Sequence, residues 1–228
     1  MKKIMFNDRY GLTAAVLQGR KTMTRRICKE HATGQLILSR DIESFRFYPD
    51  ENIVEFLMKD GTIKVSVPPY KDNEIVAVAQ AYKDLGYTKE WVERHISPNP
   101  NAKWKDPFEK IYPGWNNKMF VPAELNKAHQ IQITDINIER LQDISDEDCL
   151  KEGIRLYTTG IPQCKTQVVG SLEFIPPYGF DDYHHKHFCN FDTPREAFAS
   201  LINRPGVGRK GLWEENPFVF AYSFKLIK

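Results

Sequence analysis

The segment Gly19-Arg20-Lys21-Thr22-Met23-Thr24-Arg25-Arg26 gathers residue types that bind phosphate or handle protons. Lysine and arginine neutralise phosphates, and a guanidinium forks onto paired phosphate or carboxylate oxygens. Arg20, Lys21, Arg25 and Arg26 supply that charge, with the hydroxyls of Thr22 and Thr24 between them. Lys21 is flanked by Arg20 and Arg25; like charge disfavours its protonated form and makes a neutral amine more accessible as a base. On a regular strand, positions 21 and 24 face opposite ways. Their convergence would need a turn, a bulge or a folded-back lysine.

A second cluster, Asp181-Asp182-Tyr183-His184-His185-Lys186-His187-Phe188-Cys189, offers imidazole and thiol donors. It lacks the spacing of a zinc motif, and adjacent histidines tend to point apart, so a polar loop is expected and no metal. Cys28, Cys149, Cys164 and Cys189 form no CxxC pair and read as reduced thiols. No cofactor is expected. Arg204, Arg209 and Lys210 surround Pro205-Gly206-Val207-Gly208, which reads as an exposed basic turn.

The chain's formal charge of +2 hides a polarity. Residues 1–40 hold nine basic side chains against two acidic ones, whereas residues 135–152 hold seven acids against Arg140 and Lys151. A focused basic pocket fits that pattern better than a broad polyanion-coating surface. With 41% hydrophobic and 27% charged residues, the 228-residue chain has the balance of a soluble globular protein. Its longest apolar run, Ile75-Val76-Ala77-Val78-Ala79, is far too short for a membrane span. Basic residues at the N-terminus have no apolar stretch behind them, so no signal peptide and a cytoplasmic location are expected.

Several elements must position these residues. Asn7 or Asp8 is expected to cap a short helix carrying Leu12, Ala15 and Val16, with Gly19 ending it. Ile53–Met58 and Thr62–Val67 alternate around Lys59-Asp60-Gly61 and predict a hairpin. Ile75–Ala81 reads as a buried strand, and Gln130–Ile138 as the clearest strand. Ser145 opens a short helix with acids in its first turn, closed by Gly153. Thr193-Pro194-Arg195-Glu196 is a capping box starting a helix over Arg195–Asn203, and residues 217–227 form a closing strand. Stretches 83–118 and 155–191 are rich in proline and aromatic residues and read as irregular insertions. Tryptophans 91, 104 and 115 then pack as a private core of the first insertion or stack bases. This order predicts an α+β fold, a small mixed β-barrel with short peripheral helices, over one domain spanning 1–228.

The Gly-Arg-Lys-Thr-x-Thr-x-Arg run after a short helix resembles the signature of ASCH-domain proteins, a β-barrel group related to the PUA fold. Asp72–Val78, Ile133–Ser145 continuing to Glu152-Gly153-Ile154, and Asn216–Phe224 are similar in order to phage- and prophage-encoded members. Ala77, Ala79 and Gln80 stand where such members usually carry a Trp and an Arg-Glu pair. The resemblance implies a cleft accepting RNA or a modified, cytidine-like nucleoside, lined by Arg20, Lys21, Thr22, Thr24, Arg25 and Arg26, with Gln80 and Tyr82. It also implies an alternative activity, amidohydrolysis of N4-acylcytidine by Lys21, Thr24 and Glu152, with Glu147 and Asp148 one turn from the assigned carboxylate. In that chemistry Lys21 activates the Thr24 hydroxyl or a water, and Glu152 protonates the leaving amine. A third reading is a non-catalytic interaction protein of phage or prophage origin.

Overall fold

The computed structural model describes residues 1–99, 108, 111–156, 178–182 and 187–227. In chain order the elements are β1 (Lys3–Ile4), α1 (Leu12–Leu17), β2 (Met23–Ile27), β3 (Ile42–Tyr48), β4 (Ile53–Met58), β5 (Ile63–Ser66), β6 (Ile75–Val78) and α2 (Lys89–His95). They continue with β7 (Gln130–Arg140), α3 (Asp146–Lys151), β8 (Arg155–Leu156), β9 (Tyr178–Asp182), β10 (His187–Phe191), α4 (Pro194–Ile202), α5 (Leu212–Glu215) and β11 (Phe218–Leu226). The fold is mixed α+β with short helices, and no strand ladder among the described residues closes on itself. No described helix is long and apolar enough to cross a membrane.

The chain gathers into two compact units: one of Met1–Phe6, Ile75–Gln132 and Leu226–Lys228, the other of Asn7–Glu74 and Ile133–Lys225. In the larger unit, β2 runs antiparallel to β11 with Thr24 opposite Tyr222, Arg25 opposite Ala221 and Arg26 opposite Phe220; β11 in turn lies beside β7. A separate antiparallel meander, β3-β4-β5, buries Val54, Phe56 and Met58 on alternate positions of its central strand. Its hairpin is the expected one, with Gly61 taking the positive φ of 82° that the turn requires. The strand β3 was not expected. A register shift between Ile42 and Ser44 makes Glu43 a bulge, which breaks the alternation by which a strand is recognised.

Helix α1 is capped differently from the expectation. Gly11, at φ 68°, is its N-cap, with no side-chain cap, while the backbone N–H of Leu12 donates to the Asn7 carbonyl. Gly19 does end it, with φ 71°. Around α3, Ser145 Oγ accepts from the N–H of Asp148, and around α4 the capping box of Thr193 and Glu196 forms in full. That helix begins one residue earlier than expected, at Pro194, where a missing N–H costs nothing.

In the smaller unit, β1 pairs in parallel with β6, and β6 pairs antiparallel with the first residues of β7. The strand expected over Ile75–Ala81 ends at Val78, although Ala79, Gln80, Ala81 and Tyr82 stay buried. Tyr82, Val92 and Val121 form a core sheathed by Leu85, Tyr87, Trp91, Tyr112 and Trp115, so the described part of the 83–118 stretch carries its own apolar centre. The backbone at Gly114 approaches the Tyr82 ring so closely that a Cβ there would lie 2.3 Å from Tyr82 Cε2. Most of the 155–191 stretch, with Trp104 of the first insertion and the side chains of His184, His185, His187 and Cys189, lies outside the described residues.

Candidate functional site

Lys21 does not belong to a strand. After Gly19 turns the chain, the N–H groups of Arg20 and Lys21 both donate to the Ala15 carbonyl, folding the lysine back under α1. The N–H of Thr22 then donates to the Lys151 carbonyl at the end of α3, which ties the motif to the acidic helix. Gly153, at φ 105°, closes that helix; a Cβ on it would meet Leu12 Cδ2 at 3.3 Å and Lys21 Cδ at 3.6 Å. A side chain here would crowd Leu12 and reach only ordinary contact with the lysine stem, so glycine is required chiefly by the turn.

The Lys21 ammonium, 2% exposed, donates to Glu152 Oε2 at 2.5 Å and to the Glu152 carbonyl at 2.7 Å. The latter is one of the carbonyls a helix leaves unsatisfied at its C-terminus, where a cation is favoured. Burial lowers the Lys21 pKa from its ordinary value; Glu152 opposes that shift, while Arg26 and Arg25 add to it.

Arg25 joins the same carboxylate from the strand. Its Nη1 donates to Glu152 Oε1 at 3.2 Å, its Nη2 to Asp148 Oδ2 at 3.4 Å, and its Nε to Glu139 Oε1 at 2.7 Å. Glu139 stands on β7, on the far side of β11 from β2. The guanidinium therefore reaches past β11 where Arg25 faces Ala221, a side chain small enough to let it pass. Burial works against the Arg25 charge, yet Glu152 and Glu139 outweigh it and raise the pKa. Lys151 bonds both Asp148 and Glu147, so the cluster sets Lys21, Arg25 and Lys151 against Glu139, Glu147, Asp148 and Glu152 and leaves no cation in excess. It resembles a structural ion-pair network more than a phosphate surface.

The remaining residues of the motif lie elsewhere. Exposed Arg20 clasps Gln18 Oε1 with two guanidinium nitrogens at 3.0 and 2.8 Å. Thr22 is half-buried and passes its carbonyl to the N–H of Phe224. Because Arg25 points to the carboxylates, strand alternation turns Thr24 and Arg26 to the other face of β2, with Phe220 and Tyr222. Tyr222 stacks edge-on against Tyr70, its hydroxyl accepting from the Tyr70 N–H at 3.3 Å, and burial raises the pKa of both phenols. Lys21 and Glu152 thus come together across 131 residues of sequence, while Thr24 faces away from Glu152.

Gln80 and Tyr82 belong to the smaller unit. The Gln80 N–H donates to Asn126 Oδ1, and its side-chain Nε2 meets His129 Nδ1 at 2.7 Å. Tyr82 is fully buried in the aromatic core and presents no ring to a ligand. Glu139 and Tyr70 were not among the expected site residues. The alternation of Asp135, Asn137 and Glu139 along β7 was the available signal for the first; Tyr70 sits in a loop with no periodic signal. No described set of three or more His, Cys, Asp or Glu residues could hold a metal ion. No protein family, curated protein or solved structure matches the chain.

Proposed function

We propose that this chain is an ASCH-type member of the PUA-like β-barrel group that binds one modified, cytidine-like nucleoside, free or within RNA, without coating the polyanion. The observation carrying this reading is the commitment of Lys21 and Arg25, both buried, to ion pairs with Glu139, Asp148 and Glu152. Two of the four motif cations are thereby taken up inside the protein. In this reading half-buried Arg26 meets the ligand, with buried Thr24 and Tyr222 beside it on that face of β2 and the Tyr70 ring against Tyr222.

A second reading, hydrolysis of N4-acylcytidine, draws on the 2.5 Å Lys21–Glu152 contact and the lowered lysine pKa. In it, neutral Lys21 takes the Thr24 hydroxyl proton as that oxygen attacks the amide carbon. Glu152 protonates the departing amine, and water then frees the acyl group from Thr24. The placement of Thr24 on the face of β2 opposite to Arg25 weighs against this geometry.

Calorimetric titration with N4-acetylcytidine, with cytidine release followed in parallel, separates the two. Saturable binding weakened about tenfold or more by Thr24→Val or Arg26→Ala, with no cytidine above a buffer control, is the expected result. Absent binding, or variants that bind like the parent, would overturn the proposal. Cytidine release abolished by Lys21→Met would replace it with the hydrolase reading.

A further inference from the structure

In the smaller unit, three aromatic side chains stack at four-residue steps, from Tyr87 just before α2 to the last residue of that helix. Tyr87 lies against Trp91 with centroids 4.2 Å apart and planes at 32°. Trp91 lies against His95 at 4.4 Å and 17°, a close parallel stack. Exposure rises along the ladder: Tyr87 and Trp91 are half-buried, and His95, the last residue of the helix, is exposed. The next rung would be residue 99, where the chain has already left the helix.

The His95 ring is held in place. Its Nδ1 lies 2.8 Å from the Trp91 carbonyl. A carbonyl only accepts, so Nδ1 carries the proton and Nε2 of the neutral ring is left as an acceptor. Trp91 fixes one face of the ring and the helix end fixes its orientation. The bond to the Trp91 carbonyl also caps the helix C-terminus, while the core is closed by Tyr82, Val92 and Val121 without the imidazole, which stays exposed.

We infer that His95 is a stacking site for a single unpaired nucleobase, its ring face taking the base and Nε2 accepting from an exocyclic amine. Stacking on a pre-set ring costs little side-chain entropy and tolerates any base, while an acceptor at Nε2 favours bases that carry an amine. Exposed Lys89 and Arg94 on the same helix are matched by exposed Glu90 and Glu93, so the platform holds a base through its ring and Nε2 and not through an excess of charge. His95 belongs to the smaller unit and uses none of the residues around β2, so its test does not depend on the nucleoside proposal.

The experiment uses the full chain with adenosine monophosphate, a fluorescent five-nucleotide single-stranded oligoadenylate and a duplex of matching length. His95→Ala is expected to weaken the single strand about ten- to a hundredfold, whereas His95→Phe, which keeps the plane, retains most of the affinity. Monophosphate binding with the same variant pattern identifies a free nucleotide as a sufficient source of the base; binding confined to the oligonucleotide identifies the strand. Equal binding by parent and His95→Ala, absence of binding, or a duplex bound as tightly as the single strand would overturn the inference. Unchanged Tyr82-region packing in His95→Ala, read from near-ultraviolet circular dichroism, separates loss of a platform from loss of fold.

Discussion

Breaking the Lys21–Glu152 pair should be costly, and unequally so for its two members. At 2.5 Å and an effective dielectric constant of about 20, the attraction is on the order of 7 kcal/mol before desolvation is subtracted. Glu152 has a second cation, Arg25, at 3.2 Å. Lys21→Met therefore leaves Glu152 one partner. Glu152→Gln instead leaves a buried ammonium with carbonyl and amide oxygens and with Arg25 and Arg26 as unfavourable neighbours. Truncating one partner of a buried pair costs roughly 3–5 kcal/mol, so Lys21→Met is expected near the lower end and Glu152→Gln near the upper. The double variant removes both charges and keeps Arg25 on Glu139 and Asp148; it should cost at least about 2 kcal/mol less than the sum of the singles. Urea unfolding of the four proteins measures the cycle. Additive costs, or single costs below about 1 kcal/mol, would show a surface-like pair and refute the buried network.

Three further outcomes follow from neighbouring contacts. Ala221→Leu puts bulk where Arg25 crosses β11 and should cost about 1–3 kcal/mol from overpacking, with further loss from the displaced ion pairs; urea unfolding checks it. Gly153→Ala meets a positive φ of 105° and a tight approach to Leu12, and should lose about 1–2 kcal/mol in the same assay. Cys149, buried with its thiol pushed up to about 12, stays protonated in the fold while the unfolded chain ionises near 9.0. The unfolded state then binds fewer protons between those values, so stability falls as pH rises, by about 1.4 kcal/mol at pH 10 from this group. Unfolding of parent and Cys149→Ala at pH 8 and pH 10 should show the smaller fall in the variant.

The sequence was most informative where one local rule decides a structure. Ser145, Thr193 and Gly61 cap or turn the chain as their side chains and φ requirements demand. The rule failed at α1, where glycine at position 11 displaced the expected Asn7 or Asp8 because backbone conformation, with no side-chain bond, starts that helix. It failed again at β3, where a bulge erased the alternation. For the site, the excess of cations near residue 20 and of acids near residue 150 was visible in composition, and resemblance placed Lys21 and Glu152 together. What composition does not encode is who pairs with whom. Arg25 finds Glu139 only because β11 stands between their strands with a small residue at 221, a fact of sheet order. The basic run that resembles a phosphate surface on paper is half consumed by that geometry.

The central claim, that Lys21 and Arg25 act inside the protein and leave at most two motif cations for phosphate, is tested most directly by salt dependence. The affinity of the full chain for a short single-stranded RNA carrying one N4-acetylcytidine is measured from low to physiological salt. Two phosphate contacts predict a slope of log affinity against log salt of about −1.4. A slope near −2.8 or steeper, as four engaged cations would give, would contradict it.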